Sequence, residues 1–200
     1  MNPIHPFRYP NTPLRRKHGP IGYSKYQHYR PWLRDEFDFR CVYYLKREQW
    51  VFQEGDFELD HQVAQSISPE LCREYTNLVY ACANCNARKG AKWLPAPENV
   101  AYGACMEVLY DGRIVHHNED GERLIDELAL DSEKLTGKRH QWIRSIHSHQ
   151  RHDWSLFLLW MGFPQDLPDL KNVNPQPKDN SRSQGIAESW FRVQRPDYYE

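Results

Sequence analysis

No run of 18 apolar residues occurs in the 200-residue chain, so no membrane-crossing helix is expected. The first residues, MNPIHPFRYPNTPLRRK, lack an apolar h-region. No secretory signal is therefore expected, and the chain reads as cytoplasmic. No internal repeat is visible. Net charge is nearly absent, at −1. Only one Cys-x-x-Cys occurs, at Cys82 and Cys85, among five cysteines. An odd count without an export signal argues against a disulfide framework and for metal or thiol roles.

What is present is unevenly spread. Residues 1–50 carry ten Lys or Arg against four Asp or Glu. Such a basic third suits a polyanionic partner, although charge alone fits a solvated face equally well. Residues 1–30 read as a basic, aromatic arm with little regular structure, with Arg15, Arg16 and Lys17 at its centre. Its tyrosines could stack on bases or pack on the body. Residues 31–97 read as the core, 98–162 as a hairpin plus helical extension, and 163–200 as a Pro-rich linker and docking tail.

Within the core, Pro31 to Phe39 has helical spacing. Gln49–Gln53 and Phe57–Val63 read as the two strands of a hairpin, with a turn at Glu54-Gly55-Asp56. Alternation then puts Glu58, Asp60 and Gln62 on one face and His61 on the other. A helix is expected from Ala83 to Lys92, with Asn86 and Lys89 on one face. Beyond the core, Asp111-Gly112 marks a second hairpin over Cys105–His116. A short helix follows at Gly121–Leu130, then one long helix from Glu133 to Met161. The histidines of that helix, His140, His147, His149 and His152, read as surface or packing residues, because no acidic or cysteine ligand clusters with them. Ile186–Val193 is a short amphipathic patch for docking on the body or on a partner.

The residue types between Glu58 and Gly90 suit one chemistry. Phosphodiester hydrolysis needs an activated water, neutralised phosphate oxygens and a cation beside the leaving oxygen. His61 titrates near neutral pH and can take a proton. Asp60 and Asn86 offer hard oxygen ligands that suit Mg²⁺ or Mn²⁺. Asn77 can hydrogen-bond the long loop and so hold the His61 strand.

The ordered set Phe39-Arg40-Cys41-Val42-Tyr43, Leu59-Asp60-His61, Asn77-Leu78-Val79, Cys82-Ala83-Asn84-Cys85-Asn86 and Lys89-Gly90 resembles the HNH endonuclease family. The resemblance covers about residues 31–92. It implies an α+β fold with a ββα-metal core: a hairpin, a loop and a helix round one divalent cation. It further implies His61 as general base, Asp60 and Asn86 as ligands of Mg²⁺ or Mn²⁺, and Asn77 as the loop-ordering residue. Arg88, Lys89 and Lys92, with the arm cations, would meet DNA phosphates. The implied activity is metal-dependent cleavage of double-stranded DNA, as in a bacterial defence or restriction effector. A protein partner would be met through the tail, and no membrane is involved. The alternative is a catalytically inactive nucleic-acid-binding or scaffold subunit.

One departure concerns zinc. Family members with two Cys-x-x-Cys pairs bind a structural Zn²⁺. Here Cys41, Cys82 and Cys85 stand at three of the positions and Tyr44 at the fourth. Three thiolates with water, or with Cys72 as substitute, would still make a site. The favoured expectation is zinc loss, with Tyr44 packing against free thiols.

Overall fold

The computed structural model describes residues 3–51 and 55–195. It is a mixed α+β fold of short two-stranded antiparallel sheets and seven α-helices among those residues. No helix among them is long and apolar enough to cross a membrane.

The arm has the little regular structure expected of it. It opens with extended chain and then forms β1 (Pro20–Ile21) and a 3-10 turn at Tyr26–Tyr29. Phe7, Tyr9, Tyr23 and Tyr29 are buried in the common core, because four large aromatics on one segment gain more by burial than by exposure. Polar bonds then fix it on α1 (Arg30–Glu36), a helix that Pro31 helps to start. Glu36 accepts from the backbone amides of Lys17 (2.6 Å) and His18 (3.1 Å), and Asp35 accepts from His18 Nε2 at 2.7 Å.

After α1 the chain turns tightly. Asp38, Phe39 and Leu45 all adopt left-handed backbone, which is costly for such residues and survives only when neighbours dictate it. Cys41 N bonds Lys46 O at 2.8 Å and Val42 N bonds Tyr80 O at 2.9 Å, so the loop is tied to the sheet that follows.

That sheet corrects the expected hairpin. β2 (Phe57–His61) pairs antiparallel with β3 (Leu78–Cys82), from Phe57↔Cys82 to His61↔Leu78. Gln49 and Trp50 instead lie in a 3-10 turn (Glu48–Trp50), and Phe52, Gln53 and Glu54 fall outside the described residues. β3 is buried at every position, because α1 and α2 (Ala83–Lys89) both pack on it. A strand covered on both sides favours a continuous apolar run, and Leu78-Val79-Tyr80-Ala81-Cys82 supplies one. α2 stops at Gly90, whose φ of +53° reverses the chain.

The extension follows. A one-turn helix α3 (Tyr102–Cys105) leads into the hairpin of β4 (Met106–Val108) and β5 (Ile114–His116), with Gly112 in its turn at φ +86°. A side chain at Gly112 would collide with Thr136 O and with His140. α4 (Glu119–Leu128) starts at Asn118, whose side chain caps Gly121 N. The expected long helix is broken: α5 (Glu133–His152) and α6 (Trp154–Met161) meet at Asp153. Asp153 is extended (φ −149°), and its carboxylate accepts from Leu156 N at 3.0 Å, which makes it an N-cap for a new helix. Fully buried Arg139 of α5 donates to Gly112 O (2.6 Å) and Leu130 O (2.7 Å), locking α5 to the hairpin.

The tail returns to the body. β6 (Asp179–Asn180) pairs with β1, and α7 (Trp190–Gln194) docks on α1. Trp190 N donates to Asp35 Oδ2 at 2.7 Å, and its ring Nε1 donates to Asp38 Oδ1 at 2.8 Å. Of the two docking partners left open for this segment, the structure has the body. One buried apolar cluster runs from Phe7 to Leu170 through all the expected segments.

Candidate functional site

β2, β3 and α2 follow one another in the chain and form one unit. Glu58 and Asp60 lie two residues apart on β2 and so point to one face, the face that α2 covers. Asn86 and Lys89, three residues apart on α2, meet them in the same order. Asn86 Nδ2 donates to Glu58 Oε2 at 2.6 Å. Lys89 Nζ donates to Asp60 Oδ1 at 3.0 Å and to His61 O at 2.5 Å. Tyr43 OH donates to the other Asp60 oxygen, Oδ2, at 2.8 Å.

Asp60 and Lys89 are 3% and 1% exposed, so this is an ion pair withdrawn from water. Burial pushes the Asp60 carboxyl upward, and the Lys89 ammonium and Tyr43 hydroxyl oppose that shift. Removing either charge would strand the other in a low-dielectric setting. Asp60, expected as a metal ligand, thus has one bond on each oxygen, from Lys89 and from Tyr43. Lys89 is not a surface cation for phosphate.

His61 ends β2 and faces the loop. Its Nε2 lies 3.0 Å from Cys72 O. A carbonyl only accepts, so Nε2 carries the proton and Nδ1 holds the lone pair. Gln65 Nε2 lies 3.1 Å from that Nδ1, and the Tyr26 ring meets the imidazole edge-on at 4.8 Å. Burial lowers the His61 pKa, and Lys89 adds to the lowering against the Cys72 carbonyl and Asp60. The ring is therefore neutral at pH 7, with a basic nitrogen fixed by its neighbours.

Asn77 spans the loop between the strands. Its Oδ1 accepts from Val63 N at 2.8 Å, while its Nδ2 donates to Val63 O at 3.0 Å and Leu71 O at 3.3 Å. These bonds fix both ends of the loop that carries Gln65 and Cys72. Asp60, Asn86 and His61 make no hydrogen bond to one another; Lys89 joins the Asp60 carboxylate to the His61 carbonyl, and Asn86 is held by Glu58.

The expected phosphate contacts divide. Arg15 and Arg88 are exposed. Lys92 is exposed but pairs with Glu127 at 3.0 Å. Arg16 is only 6% exposed; it pairs with Glu98, donates to Leu78 O at 2.8 Å and lies over the Phe37 and Tyr75 rings. Lys17 pairs with Asp35 at 3.5 Å and sits over Trp190. Arg16 and Lys17 therefore hold the arm down rather than reach outward.

At the other end of the strand pair, Cys41, Cys82 and Cys85 are all buried, and their sulfur atoms lie within 4.8 Å of one another. Tetrahedral thiolates round Zn²⁺ stand about 3.8 Å apart, given Zn–S near 2.3 Å. The cluster could hold a metal such as zinc, so the sulfur positions fit the ion whose loss was favoured. Hydrogen bonds from the Cys41 and Cys85 thiols hold Cys82 down to about 3, while burial pushes the Cys41 thiol up. One thiolate shared among three sulfurs is a donor set ready for a soft cation. Tyr44 adds no fourth sulfur: its amide donates to Cys41 Sγ at 3.4 Å, and its hydroxyl is 3.4 Å from Leu135 O. Cys72, the substitute considered, is not part of the cluster.

Sequence reasoning missed Glu58, Tyr43, Gln65 and Tyr26. For Glu58 a signal existed, since it shares a strand face with Asp60; the others depend on contacts across loops. No protein-family model and no curated protein sequence matches this chain.

Proposed function

We propose that the β2–β3–α2 unit is an HNH-type, ββα-metal nuclease core that hydrolyses phosphodiester bonds of DNA. The observation that carries this is the meeting of sequence-distant motif residues across one strand–helix contact, Asn86 with Glu58 and Lys89 with Asp60. The loop lock at Asn77 and the fixed tautomer of His61 support it further.

The residues present fit a hard divalent cation at Glu58 and Asn86. Glu58 Oε1 and Asn86 Oδ1 accept no hydrogen bond among the described residues, and both are hard donors. Glu58 adds a carboxylate beside Asn86 that the sequence reading did not include. Mg²⁺ or Mn²⁺ bound there would neutralise charge on the phosphate and leaving oxygen.

The chain's own residues supply the rest. Once the Gln65 amide moves off it, His61 Nδ1 takes a proton from water as the water oxygen attacks phosphorus. The bond to the 3′ oxygen breaks, and that oxygen takes a proton from solvent, leaving a 3′-hydroxyl and a 5′-phosphate. Gln65 and Cys72 O orient the imidazole, and Arg88 is the exposed α2 cation available to a phosphate. In this account Lys89 balances Asp60 and fixes the strand end through His61 O.

The full engagement of Asp60 favours one second reading, a catalytically inactive scaffold of the same fold. Supercoiled plasmid with Mg²⁺ or Mn²⁺ separates the two. Nicking that EDTA stops and that His61→Ala lowers by about 10²–10⁴-fold supports the enzyme. Nicking that is unchanged in His61→Ala, or absent in wild type at both metals, supports the scaffold.

A further inference from the structure

Arg47 is a cation that the fold leaves without an anion. It lies in the tight turn after α1, where Arg40 and Arg47 face each other as an isolated antiparallel bridge. Residues paired in this way carry their side chains on one face, so two like charges stand side by side, an arrangement that is destabilising. Arg40 has its own partner, Asp38, at 2.9 Å. Arg47 makes no side-chain hydrogen bond or ion pair among the described residues, and its Nε is buried without an acceptor.

The neighbouring carboxylates among the described residues are committed elsewhere. Asp38 takes Arg40 on Oδ2 and the Trp190 ring nitrogen on Oδ1. Glu48, next in the chain, accepts from Arg34 and from Tyr80 OH. Asp56 holds Lys46 at 2.8 Å. Burial, followed by the Arg40 charge, pulls the Arg47 guanidinium down to about 10, with Asp38 opposing them. The group is still charged at neutral pH. A guanidinium withdrawn from water, unpaired and beside a second guanidinium, is stabilised by an incoming anion. The Arg47 side chain is only partly buried, so an anion can reach it.

The pairing also narrows the anion. One guanidinium fork meets two oxygens at once, which a carboxylate and a phosphate both offer. Two forks side by side suit an anion with oxygens left over after the first fork, and a carboxylate has none. The turn that presents the pair is held firmly: Glu48 N bonds Phe39 O at 3.0 Å, and Cys41 N bonds Lys46 O at 2.8 Å. We propose that Arg40 and Arg47 form a phosphate site, filled by a phosphodiester of nucleic acid or by the phosphate of a free ligand. The site lies outside the β2–β3–α2 contact and requires no hydrolysis, so its test is separate from that of the nuclease reading.

Two probes test this on the full chain without Mg²⁺ or Mn²⁺. Inorganic phosphate, titrated at constant ionic strength, should raise the wild-type melting temperature, as a ligand of the native state does. Arg47→Gln keeps the stem and removes the charge, and should bind phosphate about tenfold or more weakly, the loss of one charged hydrogen bond. Arg40→Gln should weaken binding too, which keeps the test open if the first variant folds poorly. Acetate should give no comparable shift. In the second arm, a DNA duplex without terminal phosphates is followed by fluorescence anisotropy across a salt series. A plot of log K against log salt that is shallower by about 0.9 in Arg47→Gln marks one lost backbone contact and identifies nucleic acid as the source. An unchanged slope with phosphate binding lost identifies a free phosphate-bearing ligand. Equal responses of wild type and both variants to both probes, or acetate acting as well as phosphate, overturn the site.

Discussion

Asp60 and Cys82 lie near opposite ends of the same strand pair, and each belongs to a buried polar cluster. Asp60 has its cation within the chain: Lys89 from α2 sits 3.0 Å away, and Tyr43 satisfies the second oxygen. Cys82 has two thiols beside it instead, from Cys41 and Cys85, and the three sulfurs converge within 4.8 Å, with Lys46 acting on Cys82 only through its field. Consecutive tyrosines serve the two ends, with Tyr43 on the carboxylate and Tyr44 against Cys41. A hard anion met by an ammonium is internally balanced, whereas a soft anion shared among thiols invites a metal. The strand pair thus has one end closed by its own residues and one end whose charge is best completed from solution.

The largest expected effect lies at the closed end. Lys89→Met should cost about 3–5 kcal/mol in urea unfolding, because it strands Asp60 without a partner. Adding Asp60→Asn should recover much of that loss. A cost under about 1 kcal/mol for Lys89→Met would mean that the pair is not charged in the folded protein. At the open end, zinc-loaded protein should carry about one Zn²⁺ per chain by elemental analysis, and Cys85→Ser should carry none. Free zinc at 100 times its Kd should raise wild-type stability by ~2.7 kcal/mol and leave Cys85→Ser unchanged. Equal zinc in both proteins would place the metal elsewhere. The smallest effect belongs to Tyr43→Phe, which leaves one Asp60 oxygen without a donor and should cost about 1–3 kcal/mol. Thermal unfolding that is unaltered by Tyr43→Phe would mean that water reaches Asp60.

What sequence made legible follows from range. α1 and the β4–β5 hairpin are local, with a Pro start and an Asp-Gly turn; α4 was expected two residues late because its Asn118 cap was not read. Spacing alone paired Cys82 with Cys85, and the resemblance to the HNH family added Cys41. The partner of β2 was not, because β3 lies beyond a 16-residue loop and a nearer apolar stretch competed for it. Lys89 looked like a surface cation because the strand–helix register that delivers it to Asp60 is a tertiary fact. Whether the arm packs on the body was left undecided because Phe7, Tyr9 and Tyr23 have no period to betray burial. The α5–α6 break was hidden by an apolar stripe that continues past Asp153.

The most direct test of the proposed metal seat at Glu58 and Asn86 is a Mn²⁺ titration of the zinc-loaded protein, with free Mn²⁺ followed by electron paramagnetic resonance. Wild type should take up about one Mn²⁺ per chain in an octahedral oxygen setting. Asn86→Ala should lose it and Cys82→Ser should keep it. Mn²⁺ that persists in Asn86→Ala but disappears in Cys82→Ser, or that never binds wild type, would contradict a metal seat at Glu58 and Asn86.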